Sequence, residues 1–368
     1  GPAAAQASVS VQTTGALTLA LFAEQARFAA LLKSRLDLQS EADPNVRGQL
    51  QLDGWIGDGV ALDVPRAYIK VRLPGFRLTL GKTRLSWGQG LVFNAGDVIF
   101  GSLDPLLYDF SAIEPRGQTA WLAAVYAPLG DFSFLEGALL PYGPAVPGLA
   151  ADLASVSAPI EAWQLAGGAR GLFKLGKTQL EAGYYASGRE GEHRPYLALQ
   201  GHLLVAYQLA AALRMPLAPR WEEAGRWLAL SAGLFHLARF RGGRSLAARL
   251  EASVRPGGLW REAAGSAALP ITDPDAPCYG LYLFPELVFG LSENLSLMFR
   301  ALASPVDGSA LTLAGPSWKV LQGLTLFAYG SASIGDPDDL YRWRPAGSAE
   351  PGAALPSLSF SAGAEFIY

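Results

Sequence analysis

The residue types that most often carry out chemistry are sparse and scattered in this sequence. It contains a single cysteine, Cys278, and three histidines, His193, His202 and His236. A lone cysteine cannot form an internal disulfide, and no cysteine–histidine spacing typical of a zinc site occurs. His193 is the best placed of the histidines for a hydrolase, but a solvated charged loop explains it better. We therefore predict no enzyme, no metal site and no cofactor.

Basic side chains offer a different kind of chemistry, the binding of anions. Most of the 29 basic residues are arginines, whose rigid guanidinium fork binds carboxylates and phosphates. The formal net charge of −3 gives no reason to expect nucleic acid as a partner. Eight basic residues occur where polar and apolar residues alternate, and we predict that they face a polar interior: Arg35, Lys70, Arg72, Arg77, Arg170, Lys174, Arg249 and Arg300. The alternative is that they pair with acidic neighbours such as Asp37, Asp53, Glu181, Glu251 and Glu286 and only keep that interior solvated.

Acidic side chains concentrate in one long segment, residues 88–117. It combines apolar residues with four carboxylates, Asp97, Asp104, Asp109 and Glu114. A connection of this length is uncommon and usually functional. Its apolar residues require a surface to pack on, so we expect the segment to fold against its own domain.

The bulk composition restricts the elements that can position these residues. Half of the chain is hydrophobic and only 17% is charged, which is low for a water-soluble protein. No run of about 18–20 apolar residues is present, so a membrane-spanning helix is not predicted. The 42 glycines and 25 prolines indicate many turns.

Apolar and polar residues alternate with a period of two along many segments, which is the pattern of a strand with two different faces. In one such segment Leu246, Ala248, Leu250, Ala252 and Val254 alternate with Arg249, Glu251 and Ser253. The segments are about 9–14 residues long, as tilted membrane-crossing strands are, whereas strands of soluble proteins average five or six. A soluble sandwich would also alternate, but charged residues in mid-strand favour a barrel with a hydrated interior.

Turn signals divide these segments into hairpins. Short connections are predicted at Pro74-Gly75, Pro128-Leu129-Gly130, Gly176-Lys177, Gly201-His202, Gly242-Gly243, Ser292-Glu293-Asn294 and Gln322-Gly323. Longer connections are predicted at 88–117, 142–161, 255–277 and 335–355, and the two kinds mostly alternate. Short turns at one end and long loops at the other are typical of outer-membrane barrels. We predict an all-β, antiparallel, up-and-down transmembrane barrel of about eighteen strands, with sixteen as the alternative.

The two ends of the chain carry further signals. Ala5-Gln6-Ala7 has the small-residue pattern of a signal-peptide cleavage site, and Gly1-Pro2 looks like an expression scar. We therefore assign residues 1–7 to a leader remnant and residues 8–368 to one barrel domain. The last strand resembles the sorting signal that the barrel-assembly machinery recognises, and the residues concerned are Gly363, Phe366 and Tyr368.

A resemblance to known families arises at residues 84–97. Arg-Leu-Ser-Trp-Gly-Gln-Gly at 84–90 and Phe-Asn-Ala-Gly-Asp at 93–97 resemble the Arg-x-x-Trp-Gly…Phe-Asn-x-x-Asp signature of porin-like outer-membrane families. The residues that carry it are Arg84, Trp87, Gly88, Phe93 and Asn94. In those families a proline often follows the asparagine, where this chain has Ala95. The Trp-Gly-x-Gly part is also similar to capsule-surface assembly barrels, which are eighteen-stranded lectins with a filled lumen.

Together these patterns predict a channel of the bacterial outer membrane that conducts small polar or anionic solutes through an arginine-lined lumen. From its apolar residues, the segment 88–117 is expected to fold inward and constrict or plug the bore; the alternative is an external cap that packs on neighbouring loops. Basic side chains opposite an acidic constriction loop would create a transverse field. The partners predicted are the lipid bilayer, the barrel-assembly machinery and a small solute. Two alternatives stay open: a surface barrel with a closed lumen that binds polysaccharide, and a transporter of hydrophobic substrates.

Overall fold

The computed structural model describes residues 6–22, 25–57, 59–100, 118–143, 154, 157, 159–218, 224–261, 278–336, 339–341 and 356–368. Strands dominate this part of the chain. Their bounds are β1 Gln6–Leu21, β2 Ala26–Asp43, β3 Val46–Ile56, β4 Val60–Leu73, β5 Phe76–Thr83, β6 Ala120–Pro128, β7 Phe134–Leu140, β8 Ala166–Leu175, β9 Thr178–Ser187, β10 Glu192–His202, β11 Ala206–Leu213, β12 Met215–Pro216, β13 Leu228–Arg239, β14 Ser245–Val254, β15 Leu281–Gly290, β16 Leu295–Ser304, β17 Ser309–Leu321, β18 Leu324–Ile334 and β19 Leu358–Ile367. A 3₁₀ turn, Ala162–Gln164, and a one-turn helix, Ala224–Trp227, accompany them.

The strands form one closed antiparallel barrel in which neighbours in sequence are neighbours in space. β1 pairs with both β2 and β19, which closes the sheet. β11 and β12 both pair with β10, so they are two parts of one strand interrupted at Arg214. Counted this way, the described segments make an eighteen-stranded barrel. The predicted architecture is confirmed, and the sixteen-strand alternative is wrong.

Alternation along each strand separates an apolar outer face from a polar inner face. On β14 the side chain of Leu250 is 46% exposed, whereas that of the next residue, Glu251, is fully buried. Large exposed hydrophobic residues recur at the same parity on neighbouring strands, among them Leu209, Leu234, Leu287 and Phe299. The outer surface is therefore a band of leucine and phenylalanine, as a lipid-facing surface requires. No helix within the described ranges is long and apolar enough to cross a membrane.

Short turns gather at one end of the barrel, as predicted, with one displacement. Strand β10 continues through Gly201 and His202, and the turn to β11 lies at residues 203–205, where the Leu203 N–H donates to the Val205 carbonyl at 3.1 Å. Gly201 acts as a strand glycine because a Cβ there would lie 2.5 Å from the hydroxyl of Tyr207 on β11. The prediction of a turn at Gly201-His202 was therefore wrong by about two residues.

An irregularity on β4 and β5 changes the orientation of one basic residue. Alternation alone gives Lys82 the parity of the outer face, yet its side chain is 1% exposed and its Nζ lies 3.6 Å from Asp63 Oδ1. The neighbouring Gly81 has φ +120°, a conformation that residues other than glycine rarely adopt. The register between β3 and β4 also shifts near Pro65, which has no N–H to donate. These two irregularities account for a buried lysine where period two predicts an exposed one.

The C-terminal strand completes the barrel at the end where the short turns lie. The main-chain N–H and carbonyl of Tyr368 exchange hydrogen bonds with Val11 on β1, at 2.8 and 2.9 Å. Gly363 lies so close to the β1 backbone that a Cβ would overlap the Gly15 carbonyl. The side chains of Phe366 and Tyr368 are exposed. The role of these residues in barrel assembly stays a prediction.

Candidate functional site

The connection after β5 contains the most deeply buried stretch of the described residues, which we name the Trp87 segment (residues 85–100). The side chains of Trp87, Val92, Phe93 and Ile99 are at most 1% exposed. A loop outside the barrel would expose such residues to water. The rest of this connection, residues 101–117, lies outside the described residues, and the predicted Asp104, Asp109 and Glu114 lie there.

The Trp87 segment has a compact internal structure that depends on its signature residues. Gly88 and Gly90 have φ values of +64° and +144°. The Asn94 side-chain Nδ2 donates to the Trp87 carbonyl at 2.9 Å, and a Cβ on Gly88 would lie 2.5 Å from Asn94 Oδ1. Asp97 Oδ1 accepts from the Phe100 N–H at 3.4 Å. Glycine at these positions therefore allows the chain to fold closely around the asparagine amide.

Glu251 on β14 binds the middle of the Trp87 segment. Its Oε1 accepts from the Leu91 N–H at 2.8 Å, and its Oε2 accepts from the Val92 and Phe93 N–H groups at 2.8 and 2.9 Å. Gln208 Nε2 and Arg249 Nη1 both donate to Oε1 at 3.2 Å. Three consecutive N–H groups form a concave anion site, and here a protein carboxylate fills it.

A second buried carboxylate, Glu181 on β9, binds the start of the segment. Its Oε1 accepts from the Gly88 N–H at 2.8 Å and from Arg170 Nη1 at 3.0 Å, and it also accepts from the Tyr196 hydroxyl. Arg170 Nε also donates to Glu136 on β7 at 2.7 Å. Arg170 on β8 thus lies between two carboxylates, which compensates charges that would be costly to bury alone.

Side chains from two more strands form hydrogen bonds with the C-terminal part of the Trp87 segment. Ser231 Oγ on β13 accepts from the Ala95 N–H at 2.9 Å. Arg194 on β10 donates through Nη1 to the Val98 carbonyl at 2.9 Å. The same guanidinium pairs with Glu190 and Glu192 at 2.6 and 2.9 Å. With the bond from Trp87 Nε1 to Glu136 on β7 at 3.1 Å, the Trp87 segment bonds to side chains from five of the described strands that follow β5.

Apolar contacts hold the segment on two sides. Leu85, Trp87, Ala95, Val98 and Ile99 pack with buried residues of β6 to β11, where the Trp87 ring stacks on Tyr196 with centroids 6.0 Å apart. Val92 and Phe93 pack instead with residues of β15, β16 and β17, namely Tyr282, Phe284, Leu302 and Leu313. Gly168 on β8 leaves room for the Trp87 ring, since a Cβ at this position would lie 2.9 Å from the Trp87 Cη2.

The eight basic residues predicted from the sequence fall into two groups. Four form ion pairs with carboxylates: Arg35 with Asp53 at 2.8 Å, Arg170 with Glu136 and Glu181, Arg249 with Glu251 and Glu286 at 3.2 and 3.4 Å, and Arg300 with Glu286 at 2.6 Å. Four of the five acidic residues that the sequence suggests as partners, Asp53, Glu181, Glu251 and Glu286, thus form ion pairs with these arginines. Asp37 instead accepts from Gln49 at 2.8 Å.

The other four basic residues lie towards the short-turn end and are exposed. Arg72 and Arg77 are paired directly across β4 and β5, and Lys70 lies opposite Arg47 on β3. Lys70 and Arg77 are placed over the rings of Tyr68 and Tyr126, at 4.8 and 4.0 Å from the ring centroids. Lys174 lies over Phe132 at 4.4 Å. Within the described residues none of Lys70, Arg72 and Arg77 forms an ion pair with a carboxylate.

Several residues of this site were not singled out by the sequence. Arg47, Glu136, Arg194 and Ser231 contact the site or its basic cluster, but each is an ordinary polar residue of an alternating strand. Arg47 could have been found by extending the basic pattern of β4 to the strand before it. The remaining three are recognisable only through contacts between residues that are far apart in sequence.

Comparison with known proteins finds a shared fold and no related sequence. No protein-family model and no curated protein matches the chain. Among solved structures, Pseudomonas aeruginosa OccK2 (OpdF) matches with 16% identity and a TM-score of 0.58, over 98% of this chain and 97% of that one. The chain has the fold of these barrels.

Two further solved structures match to the same extent. Acinetobacter baumannii OccAB4 matches with 8% identity and a TM-score of 0.57, over 99% of this chain and 98% of that one. The outer membrane protein opdK of Pseudomonas aeruginosa matches with 10% identity and the same TM-score of 0.57, over 99% of this chain and 98% of that one. At these identities the similarity establishes the barrel architecture.

Proposed function

We propose that this chain is a channel of the bacterial outer membrane, in which the Trp87 segment crosses the bore and leaves a narrow path for small polar or anionic solutes. The observation that carries the proposal is the set of bonds between the segment and Glu181, Arg194, Ser231 and Glu251. Glu251 has the parity opposite to the exposed Leu250, so a backbone that bonds to Glu251 lies on the inner side of the wall.

Contacts on two sides of the bore support the constriction. The Trp87 end packs on β6 to β11, and Val92 and Phe93 pack on β15 to β17. An eighteen-stranded barrel is wide enough for an aqueous channel unless something fills it. A segment that contacts both walls divides the bore and leaves an opening at its sides. The fold that the chain shares with outer membrane proteins such as opdK is consistent with a location in the outer membrane.

The solute class is inferred from the basic cluster at the short-turn end. Lys70, Arg72 and Arg77 lie close together, and exposed arginines favour anions through both charge and bidentate hydrogen bonds. OccK2 (OpdF) has been solved in complex with glucuronate, which carries a carboxylate. By analogy of fold, we propose that small solutes with anionic groups pass along this cluster.

Planar-bilayer recording tests the proposal. The purified chain should give stepwise ionic currents, and the current should prefer anions over cations when the salt concentrations on the two sides differ. The absence of currents, together with binding of a capsular polysaccharide to the reconstituted barrel, would instead favour the closed-lumen lectin. Uptake of a hydrophobic solute into liposomes without ionic current would favour the hydrophobic-substrate transporter.

A further inference from the structure

A row of amide side chains crosses the inner wall below the Trp87 segment. Gln179, Gln200 and Gln208 lie on β9, β10 and β11 and are directly paired across the sheet, Gln200 opposite both of the others. We name these three residues the amide belt. On one side of the belt, Gln179 lies opposite Lys174 on β8. On the other side, Gln208 lies opposite Gly233 on β13, which in turn lies opposite Glu251 on β14.

The amide belt borders a cavity of about 550 Å³ at the short-turn end of the bore. Other residues that line it include Lys174, Lys177, Tyr207, Phe235, Arg249 and Glu251. This volume lies within the range of about 300–1,000 Å³ that is usual for small-molecule sites. The cavity therefore has room for one small solute beside the wall.

The hydrogen-bonding capacity of the belt is only partly used. Gln200 Nε2 donates to the Gln179 Oε1, and Gln208 Nε2 donates to Glu251. Each glutamine amide has two N–H groups and one carbonyl oxygen, so the belt retains both donors and acceptors. Among the described residues no other protein group bonds to these three amides. Glu251 itself is saturated by the Trp87 segment, Gln208 and Arg249.

Of the basic residues that line the cavity, Arg249 and Lys174 contact other protein groups, whereas Lys177 lies in the turn between β8 and β9. Arg249 pairs with Glu251 and Glu286 and lies over the Phe235 ring at 5.1 Å from its centroid. Lys174 lies over Phe132. The belt between them is neutral, which differs from the basic cluster on β4 and β5. A carboxylate can only accept hydrogen bonds and would leave the amide carbonyls unmatched, whereas a hydroxyl both donates and accepts.

From this arrangement we infer that the amide belt is a binding subsite for the hydroxyl groups of a small polyhydroxylated solute. Its chemistry differs from that of the basic cluster on β4 and β5, and it would bind the neutral part of the solute. The inference rests on the proposed function in one respect: the subsite is useful because solutes move through this bore.

Saturation-transfer NMR on the detergent-solubilised full chain tests the subsite without requiring a current. The detergent should be lauryldimethylamine oxide, because sugar-based detergents would compete. Sorbitol, with six hydroxyls, and triethylene glycol, which presents mainly ethers, serve as neutral probes, and gluconate serves as an anionic one. We expect saturation transfer to sorbitol that is at least threefold stronger than to triethylene glycol.

The variant Q179L/Q200L should lower the sorbitol signal at least threefold, and Q200N, which keeps an amide on a shorter side chain, should lower it less. Gln39→Leu, an exposed glutamine on β2, is the matched control and should leave the signal unchanged. Equal transfer to both neutral probes, an unchanged signal in Q179L/Q200L, or transfer to gluconate alone would overturn the inference.

Bilayer recording of the same preparations separates this inference from the proposed function. Sorbitol binding without any ionic current would contradict the channel and leave the subsite standing. Currents without sorbitol binding would contradict the subsite and leave the channel standing.

Discussion

The two sides of the bore neutralise their charges in different ways. On β7 to β10 and β13 to β16, buried carboxylates such as Glu181 and Glu251 bind arginines and the backbone of the Trp87 segment. On β4 and β5, Lys70, Arg72 and Arg77 are exposed and lie against each other or over aromatic rings. One side holds a piece of the protein, whereas on the other side these three basic residues are left to solvent.

The comparison shows that inward-facing charge has two separate uses in one barrel. A charge that is compensated by protein groups fixes structure, because its removal leaves a buried partner alone. A charge that is exposed to solvent contributes little to stability. In the proposed channel such a charge would act on ions and solutes instead. Substitutions on the two sides should therefore change different measured quantities.

The largest effect is expected for Arg170→Met on the compensated side. Glu136 and Glu181 would lose their shared cation, and removal of one partner of a buried ion pair costs about 3–5 kcal/mol. We expect the free energy of unfolding, measured with urea in detergent micelles, to fall by about 3 kcal/mol. Combining the change with Glu136→Gln and Glu181→Gln should restore part of the loss. Unchanged stability in Arg170→Met would contradict the structural role of this side.

A smaller effect, on selectivity alone, is expected for R72E/R77E on the exposed side. Reversing two charges near the mouth should lower the anion-to-cation permeability ratio roughly tenfold, equivalent to about 1.4 kcal/mol. The reversal potential across a salt gradient measures this ratio. Urea stability should stay within about 0.5 kcal/mol of the unchanged chain, because surface substitutions rarely cost more. Arg241→Glu, in an exposed turn between β13 and β14, should leave the ratio unchanged.

A local effect on packing is expected for Gly168→Ala, which tests how tightly the segment packs on the wall. The added Cβ would crowd the Trp87 ring and the Tyr184 carbonyl, and overpacking costs about 1–3 kcal/mol. Gly137→Ala on the neighbouring strand is the control, since its Cβ would lie 3.8 Å from the nearest carbonyl. Thermal unfolding followed by near-ultraviolet circular dichroism should show a lower midpoint for Gly168→Ala alone. Equal midpoints for the two variants would indicate a loosely packed segment.

Much of the barrel could be predicted from the sequence because its pattern is local. Period two identifies a strand and its two faces from a few residues, and glycine or proline between strands identifies the turns. The prediction failed where glycine had another role, as at Gly201, which makes room for the Tyr207 ring inside a strand. At Lys82 the regular alternation is interrupted by Gly81 and Pro65, so the orientation of that lysine does not follow from period two alone.

The candidate site could be predicted only in outline. The composition of residues 88–117 indicated a segment that packs against the domain, and its signature residues proved to organise its buried part. Its partners could not be predicted, because Glu181 and Glu251 are 93 and 160 residues away from the N–H groups they bind. The amide belt was missed because neutral polar residues look alike at every inward-facing position of a barrel.

The most direct test of the central claim, that the Trp87 segment constricts a conducting bore, is single-channel recording of Glu251→Ala. Loss of the carboxylate leaves three backbone N–H groups without their acceptor, so the segment should move away from β14 and enlarge the opening. We predict a conductance several times that of the unchanged chain, with frequent fluctuations, while Glu293→Ala in an exposed turn behaves like the unchanged chain. Identical, steady conductance in Glu251→Ala and the unchanged chain would contradict the account.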